Sequence, residues 1–230
     1  MSSTPEIKRR PIRSFVVRPG RMTEGQRNAV ERNWPARGLA VVDGPLNLRR
    51  AFHRDAETVL EIGFGMGASL VDMAASRPEL NYIGIEVHPP GVGSLLLSCE
   101  ERAIENIRVY REDAVDVLKN CIANASLSGV QLYFPDPWPK KKHHKRRIVQ
   151  PGFITLLAQK LVQGGYLHMA TDWQNYAEHM LEVMAGQSEF VNSAGVGNYS
   201  EKPQWRPKTK FELRGERLGH GVWDLLYQKR

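Results

Sequence analysis

Apolar positions are scattered over the first 57 residues and become ordered from Thr58 onward. Val59-Leu60-Glu61-Ile62 is a short apolar run closed by Gly63-Phe64-Gly65-Met66-Gly67, which predicts a buried strand ending in a glycine turn. Leu70, Val71, Met73 and Ala74 then share one side of a helix that stops near Pro78. The alternation repeats with a strand over 82–86, a helix over 89–106, a strand over 107–110, a helix over 114–123 and a strand over 130–134. After a long polar loop come a helix over 153–162, a Gly164-Gly165 turn, a strand over 166–170 and an amphipathic face of Trp173, Tyr176, Met180, Leu181 and Met184. Strands alternating with helices of this length predict right-handed βαβ units and a largely parallel sheet. Residues 221–227 read as a strand with no helix after it, and Phe190-Val191 is its expected partner. The fold class is therefore α/β, a doubly wound sheet finished by an antiparallel edge hairpin.

Residues 1–20 are basic and interspersed with Ser2, Ser3, Thr4, Pro5, Pro11, Pro19 and Gly20, and read as a flexible arm. Its few apolar residues show no sustained period and cannot offset the entropy of ordering, so residues 1–12 are expected to be mobile, with Phe15 to Val17 tethering the base of the arm. Residues 21–57 contain Pro35, Gly38, Gly44 and Pro45 and predict irregular structure leading into a single domain that spans 21–230.

Composition sharpens this picture in three ways. No run approaches 18 apolar residues and the N-terminus is charged, which argues against a membrane span and a secretory signal. Cys99 and Cys121 form neither a disulfide framework nor a CxxC motif, as expected of reduced thiols in a cytoplasmic protein. The net charge of +7 is uneven: residues 1–50 carry +7, residues 138–147 carry +6, residues 200–230 carry +4, and the remainder carries −10. Basic segments on an acidic body predict a surface for a polyanion, nucleic acid above all.

Ligands of doubly wound sheets sit outside the carboxyl ends of the strands, where Gly63, Gly65 and Gly67 lie. Gly63, Gly65 and Ala68 satisfy the loose dinucleotide pattern, so an NAD-type oxidoreductase is the first rival. Carboxylates weigh against it. Glu61 is expected to aim into the place a pyrophosphate would need, where its charge repels phosphate and suits the amino group and sulfonium of S-adenosylmethionine. Glu86 is placed to accept ribose hydroxyls, a feature shared with NAD enzymes, Asp113 could receive the adenine amino group, and Asp136 follows the fourth strand. Each alone could be a carboxylate favoured at a helix N-terminus, but all four together favour a cationic cofactor. The sequence has no phosphate-binding G-x-x-x-x-G-K-[ST] loop and no G-x-S-x-G elbow. His143-His144 are adjacent rather than spaced as metal ligands, so no metal site is expected.

Phe134-Pro135-Asp136-Pro137-Trp138-Pro139-Lys140 follows the fourth strand, and Lys141-Lys142-His143-His144-Lys145-Arg146-Arg147 comes next. Two prolines fix the backbone around Asp136, Trp138 offers a π face to a base or a cation, and the basic run supplies phosphate contacts beside the carboxylate. These stretches resemble the bacterial tRNA (guanine-N7)-methyltransferases that modify guanosine 46 of the variable loop. The resemblance runs from about Arg13 to Tyr227. It rests on Arg13-Ser14-Phe15, Glu61-Ile62-Gly63-Phe64-Gly65, Gly84-Ile85-Glu86-Val87-His88, Phe134 to Trp138, Lys145-Arg146-Arg147, Thr171-Asp172-Trp173, Thr209-Lys210-Phe211-Glu212 and Gly219-His220-Gly221-Val222-Trp223.

The resemblance implies a class I methyltransferase fold with a seven-stranded sheet. It implies that Glu61, Glu86, Asp113 and Asp136 bind S-adenosylmethionine with the glycines of the turn, and that Asp136 is also the catalytic residue. Lys140, Asp172, Thr209, Lys210, Phe211 and Glu212 would hold the guanosine, and Lys142, His143, His144, Lys145, Arg146 and Arg147 would contact the tRNA. The oligomeric state is left as monomer or homodimer. A methyltransferase for another nucleic acid is the alternative within the same chemistry. A DNA amino-methyltransferase would carry Asp-Pro-Pro-Tyr where this chain has Asp-Pro-Trp, and a non-catalytic RNA-binding module leaves the glycine turn without a use.

Overall fold

The computed structural model describes residues 13–16, 20–208, 212 and 221–230. An eight-stranded sheet is ordered β1-β4-β3-β2-β5-β6-β8-β7. Its strands are β1 (Gly38–Leu39), β2 (Thr58–Ile62), β3 (Asn81–Ile85), β4 (Ile107–Tyr110), β5 (Leu127–Tyr133), β6 (Leu161–Thr171), β7 (Phe190–Asn192) and β8 (Trp223–Lys229). The six strands from β1 to β6 pair in parallel, and β8 runs antiparallel to both β6 and β7. The eighth strand beyond the expected seven is the two-residue β1, paired with β4 through Gly38↔Val109. Phe190 pairs with Lys229, so the expected edge hairpin is present, with β8 inside and β7 outermost.

Strands β2, β3 and β4 are buried along their whole length because helices cover both faces. Helices α1 (Glu24–Arg37), α3 (Ala68–Ser76) and α4 (Pro89–Glu101) pack on one face around Leu70, Leu95, Leu96 and Val109. Helices α2 (Leu48–Phe52), α5 (Ala114–Asn120), α6 (Pro151–Lys160) and α7 (Gln174–Ala185) cover the other, around Leu60, Val117, Leu157 and Met180.

Two elements differ from the sequence expectation. The stretch expected to be irregular contains α1, fourteen residues long, although only Ala29 of it is fully buried. Its signal lies in the N-terminal capping box: Thr23 Oγ1 accepts the Gln26 amide at 3.2 Å, and Gln26 Oε1 accepts the Thr23 amide at 3.0 Å. The second difference is at β6. Helix α6 ends at Lys160 and the strand starts at once, at Leu161, with Gly164 and Gly165 inside it. Leu127 pairs with Leu161 but Gly129 pairs with Tyr166, so the glycines absorb a bulge rather than separate helix from strand. Thr23→Ala should lower stability by about 1 kcal/mol, read by chemical denaturation, through loss of the α1 cap.

Candidate active site

The glycine turn leaves β2 in left-handed backbone, with φ of 75° at Gly63, 58° at Gly65 and 82° at Gly67. A Cβ at Gly63 or Gly65 would enter open space, so backbone conformation rather than crowding requires glycine there. The Glu86 carboxylate braces the turn, accepting the Gly65 amide at 2.8 Å and the His88 amide at 2.9 Å. Around these residues lies a cavity of about 220 Å³, lined by Ile62, Gly63, Ile85, Glu86, Glu112, Phe134 and Asp136 among others.

Glu61 departs from its expected aim. It does not line this cavity, is only 3% exposed, and its Oε2 has no hydrogen-bond partner among the described residues. Burial, helped by the charge of Glu86, raises its carboxyl from 4.5 to about 8. Its register partner on β5, Gln131, also holds an orphaned oxygen, Oε1. Asp113 caps α5 by accepting the Val115 amide at 2.9 Å, while its neighbour Glu112 faces the cavity and accepts the Val41 amide at 2.6 Å. Glu112 escaped the sequence reading because only a one-residue difference in phase at the strand end separates the two.

The turn after β5 is held from several sides. Phe134 and Trp138 adopt positive φ, 49° and 45°, on either side of the proline-flanked Asp136, and the Phe134 amide donates to Ala170 O at 2.8 Å. Asp136 lines the cavity and is exposed. The Trp138 indole donates to Ser14 O at 3.0 Å, and its face carries the Arg146 guanidinium at 4.0 Å, so the expected cation comes from the chain itself. Arg146 reaches on to the carbonyls of Arg13 and Phe15, and Ser14 and Phe15 form part of the cavity wall. The base of the N-terminal arm thus belongs to the site, whereas residues 1–12 and Val17 lie outside the described residues.

The basic run divides in two. Lys140, Lys141, Lys142 and Lys145 are exposed around a short 3-10 helix, Lys141–Arg146. Arg147 is 2% exposed and turned inward, donating to Pro137 O at 2.9 Å and to Asn175 Oδ1 at 2.7 Å while lying over Tyr176. It departs from the expected phosphate contact and instead ties the Asp136 turn to the start of α7, just after Asp172. His144 Nε2 contacts Arg147, and His143, its imidazole held below the usual value by burial and then by surrounding cations, lies edge-on to Trp138.

Thr209, Lys210 and Phe211 lie outside the described residues. Glu212 is buried, with both oxygens on Arg206 at 2.7 and 2.9 Å. Arg206, fully buried, also donates from Nε and Nη2 to Asp224 at 2.8 Å, and Asp224 Oδ1 meets His168 Nε2 at 2.7 Å. His168 Nδ1 meets the Tyr133 hydroxyl at 2.9 Å. Nothing in the sequence pattern marks this network, because Arg206 reads as one more surface charge of a basic tail.

Residues 55–225 match the family described as "Putative methyltransferase". A protein of Alcanivorax borkumensis named tRNA (guanine-N(7)-)-methyltransferase is 60% identical over 221 residues, 96% of this chain and 92% of its own. A protein of the same name from Idiomarina loihiensis is 58% identical over 95% of this chain and 89% of its own. The chain belongs to the tRNA (guanine-N7)-methyltransferase family. Solved structures share the fold alone. A 16S rRNA methyltransferase, KamB, superposes with a TM-score of 0.57 at 12% identity over 79% of this chain and 91% of its own. A geranyl diphosphate C-methyltransferase of Streptomyces coelicolor, in complex with S-adenosyl-L-homocysteine, superposes with a TM-score of 0.50 at 12% identity over 80% and 74%. Among the described residues no helix is long and apolar enough to cross a membrane, and no three His, Cys, Asp or Glu side chains group as metal ligands.

Glu61 carries a pH signature. With its folded pKa at about 8 against 4.5 for the ordinary carboxyl, the folded chain holds an extra proton between those values. Unfolding releases that proton, so stability falls as pH rises through this window. Glu61→Gln removes the dependence, and its melting temperature should rise relative to wild type between pH 5 and 8.5. A difference between the two chains that stays constant with pH would remove the buried, unpaired carboxyl as its cause.

Proposed function

We propose that this chain transfers the methyl group of S-adenosylmethionine to N7 of guanosine 46 in the variable loop of tRNA. The observation that carries the reading is Asp136, fixed between two prolines at the mouth of the cavity and flanked by exposed lysines. The cofactor supplies an electrophilic methyl group on a sulfonium. The residues present suit such a cation: Glu86 and Glu112 stand in the wall beside the exposed Asp136, and Gly63 and Gly65 leave the turn open. Glu86 retains lone pairs beyond its two amide contacts for ribose hydroxyls. Asp113 caps α5 next to Glu112 of the cavity wall.

Guanine N7 carries a free lone pair, so no proton has to leave before it attacks. The protein therefore has to align the base and stabilise the positive charge that grows on the purine. Asp136 and Asp172, on neighbouring loops joined through Arg147, would accept hydrogen bonds from guanine N–H groups. Adenine does not present that donor pattern, so the same contacts select the base. Lys140 and the strip 209–212 complete the guanosine site on this reading. The exposed lysines and Arg146 lie where phosphates of the RNA would pass.

Transfer from labelled cofactor to tRNA transcripts with G or A at the variable-loop position tests the reading. Label on duplex DNA but not on tRNA would favour the other nucleic-acid substrate. Asp136→Asn should lose about 10²-fold in turnover with tRNA affinity nearly unchanged, and a near wild-type rate would remove Asp136 from the chemistry. Neutralising Lys141, Lys142 and Lys145 together should flatten the dependence of log K on log salt by about 2, at ~0.7 per phosphate on a single strand. An unchanged slope would make these lysines merely solvated. Arg147 is left out of that set because its donors hold the turn.

A further inference from the structure

We propose that Arg206 is a positioning residue for methyl transfer, setting Glu212 and the turn that carries Asp136 with one buried guanidinium. This rests on the function proposed above and changes the part played by Glu212. The resemblance gives Glu212 to the guanosine, whereas here its carboxylate is buried in a bidentate pair with Arg206.

The argument begins with the cost of the arrangement. A fully buried cation between two carboxylates, with one charge in excess, is weak as a device for stability, since a well-packed apolar cluster does as well or better. What it provides is direction. A planar guanidinium presents its donors in a rigid fork, and four of its N–H bonds are used, two toward Glu212 and two toward Asp224. Glu212 and β8 are thereby fixed relative to each other.

The second half of the argument is where the network ends. Asp224 accepts from His168 Nε2, which leaves Nδ1 of a neutral imidazole to accept from the Tyr133 hydroxyl. Tyr133 is the last residue of β5 and Phe134 opens the strained turn. The Arg206 guanidinium also stands over both rings, 5.9 Å from the centre of Tyr133 and 5.8 Å from that of Phe134. Glu212 and the turn of Asp136 thus meet through one side chain. Phe134 lines the cavity, so displacement of the guanidinium would be felt at the reacting end of the site.

The test is Arg206→Lys, which keeps the charge and loses the fork. With the full chain and a tRNA transcript, kcat should fall about 10²-fold, the scale of an ångström of misplacement, while KM for tRNA and binding of S-adenosylhomocysteine stay near wild type. Combined with Asp136→Asn, the variant should be little worse than Asp136→Asn alone, because both disturb one alignment. A merely structural role predicts multiplied losses and a weakened cofactor site. Asp224→Asn, which keeps the shape and loosens only the β8 side, should lower kcat several-fold with the same unchanged KM, and it decides the matter should Arg206→Lys not fold. Full turnover in either folded variant, or losses that multiply in the double variant, overturns the proposal. A wild-type chain that leaves guanosine unmethylated sinks the proposed function and this role together, whereas an active wild type with an equally active Arg206→Lys sinks this role alone.

Discussion

Strand β2 is hydrogen-bonded on both sides, with Leu60 opposite Ile83 of β3 and opposite Val130 of β5, and the site depends on that double pairing. From β2 the chain winds outward through β3 and β4, with the earlier β1 added beyond β4, and then returns to the other side of β2 through β5 and β6. The direction of winding reverses between β2 and β5, which opens a crevice at their carboxyl ends. Gly63 and Asp136 line one cavity because β2 and β5 end within a residue of each other, Ile62 lying opposite Leu132. A slip of one residue would exchange the faces of Glu61 and Ile62, placing the carboxylate on the apolar wall and the isoleucine in the polar row with Gln131. Register therefore decides which side chains meet the cavity.

Charge in this chain is sorted by geometry rather than by sign. The lysines of the run at 140–145 are exposed, as suits compact, strongly hydrated ammonium groups, whereas the buried cations around the Asp136 turn are arginines. Arg147 and Arg206 each gather two parts of the chain: Pro137 with Asn175, and Glu212 with Asp224. Arg146 stands between the classes, lying on Trp138 and holding the carbonyls of Arg13 and Phe15. The basic character of the sequence therefore has two physical meanings, a strip of exposed lysines and a set of internal fasteners.

That division marks what the sequence can disclose. Short-range patterns were legible: the apolar runs of β2 to β5, the glycine turn, the acids at the strand ends and the proline-flanked Asp136 each depend on neighbours a few residues away. Helix α1 was not, because it buries only Ala29 fully and its start is marked by two polar side chains. The inward arginines were not, because a guanidinium that finds its carboxylates through Asp224, eighteen residues on, looks in sequence like any charge of a basic tail. Glu61 was legible as a carboxylate and misjudged in aim. Its place on the buried face follows from strand alternation, which puts its neighbour Ile62 on the cavity wall.

The strained turn shows how such a site can do its work without a strong base. Phe134 and Trp138 hold left-handed backbone that costs non-glycine residues about 1–3 kcal/mol each. Such strain persists only where the surroundings over-determine it. Here the Phe134 amide is fixed to β6, Trp138 is held between Ser14 and Arg146, and Pro137 O is fixed by Arg147. A methyl acceptor with its own lone pair asks nothing of the protein's pKa values at the moment of transfer and a great deal of its geometry. The constraints accordingly converge on backbone position around Asp136, and they come from three separate parts of the chain: the base of the N-terminal arm, β6 and the Arg146-Arg147 pair.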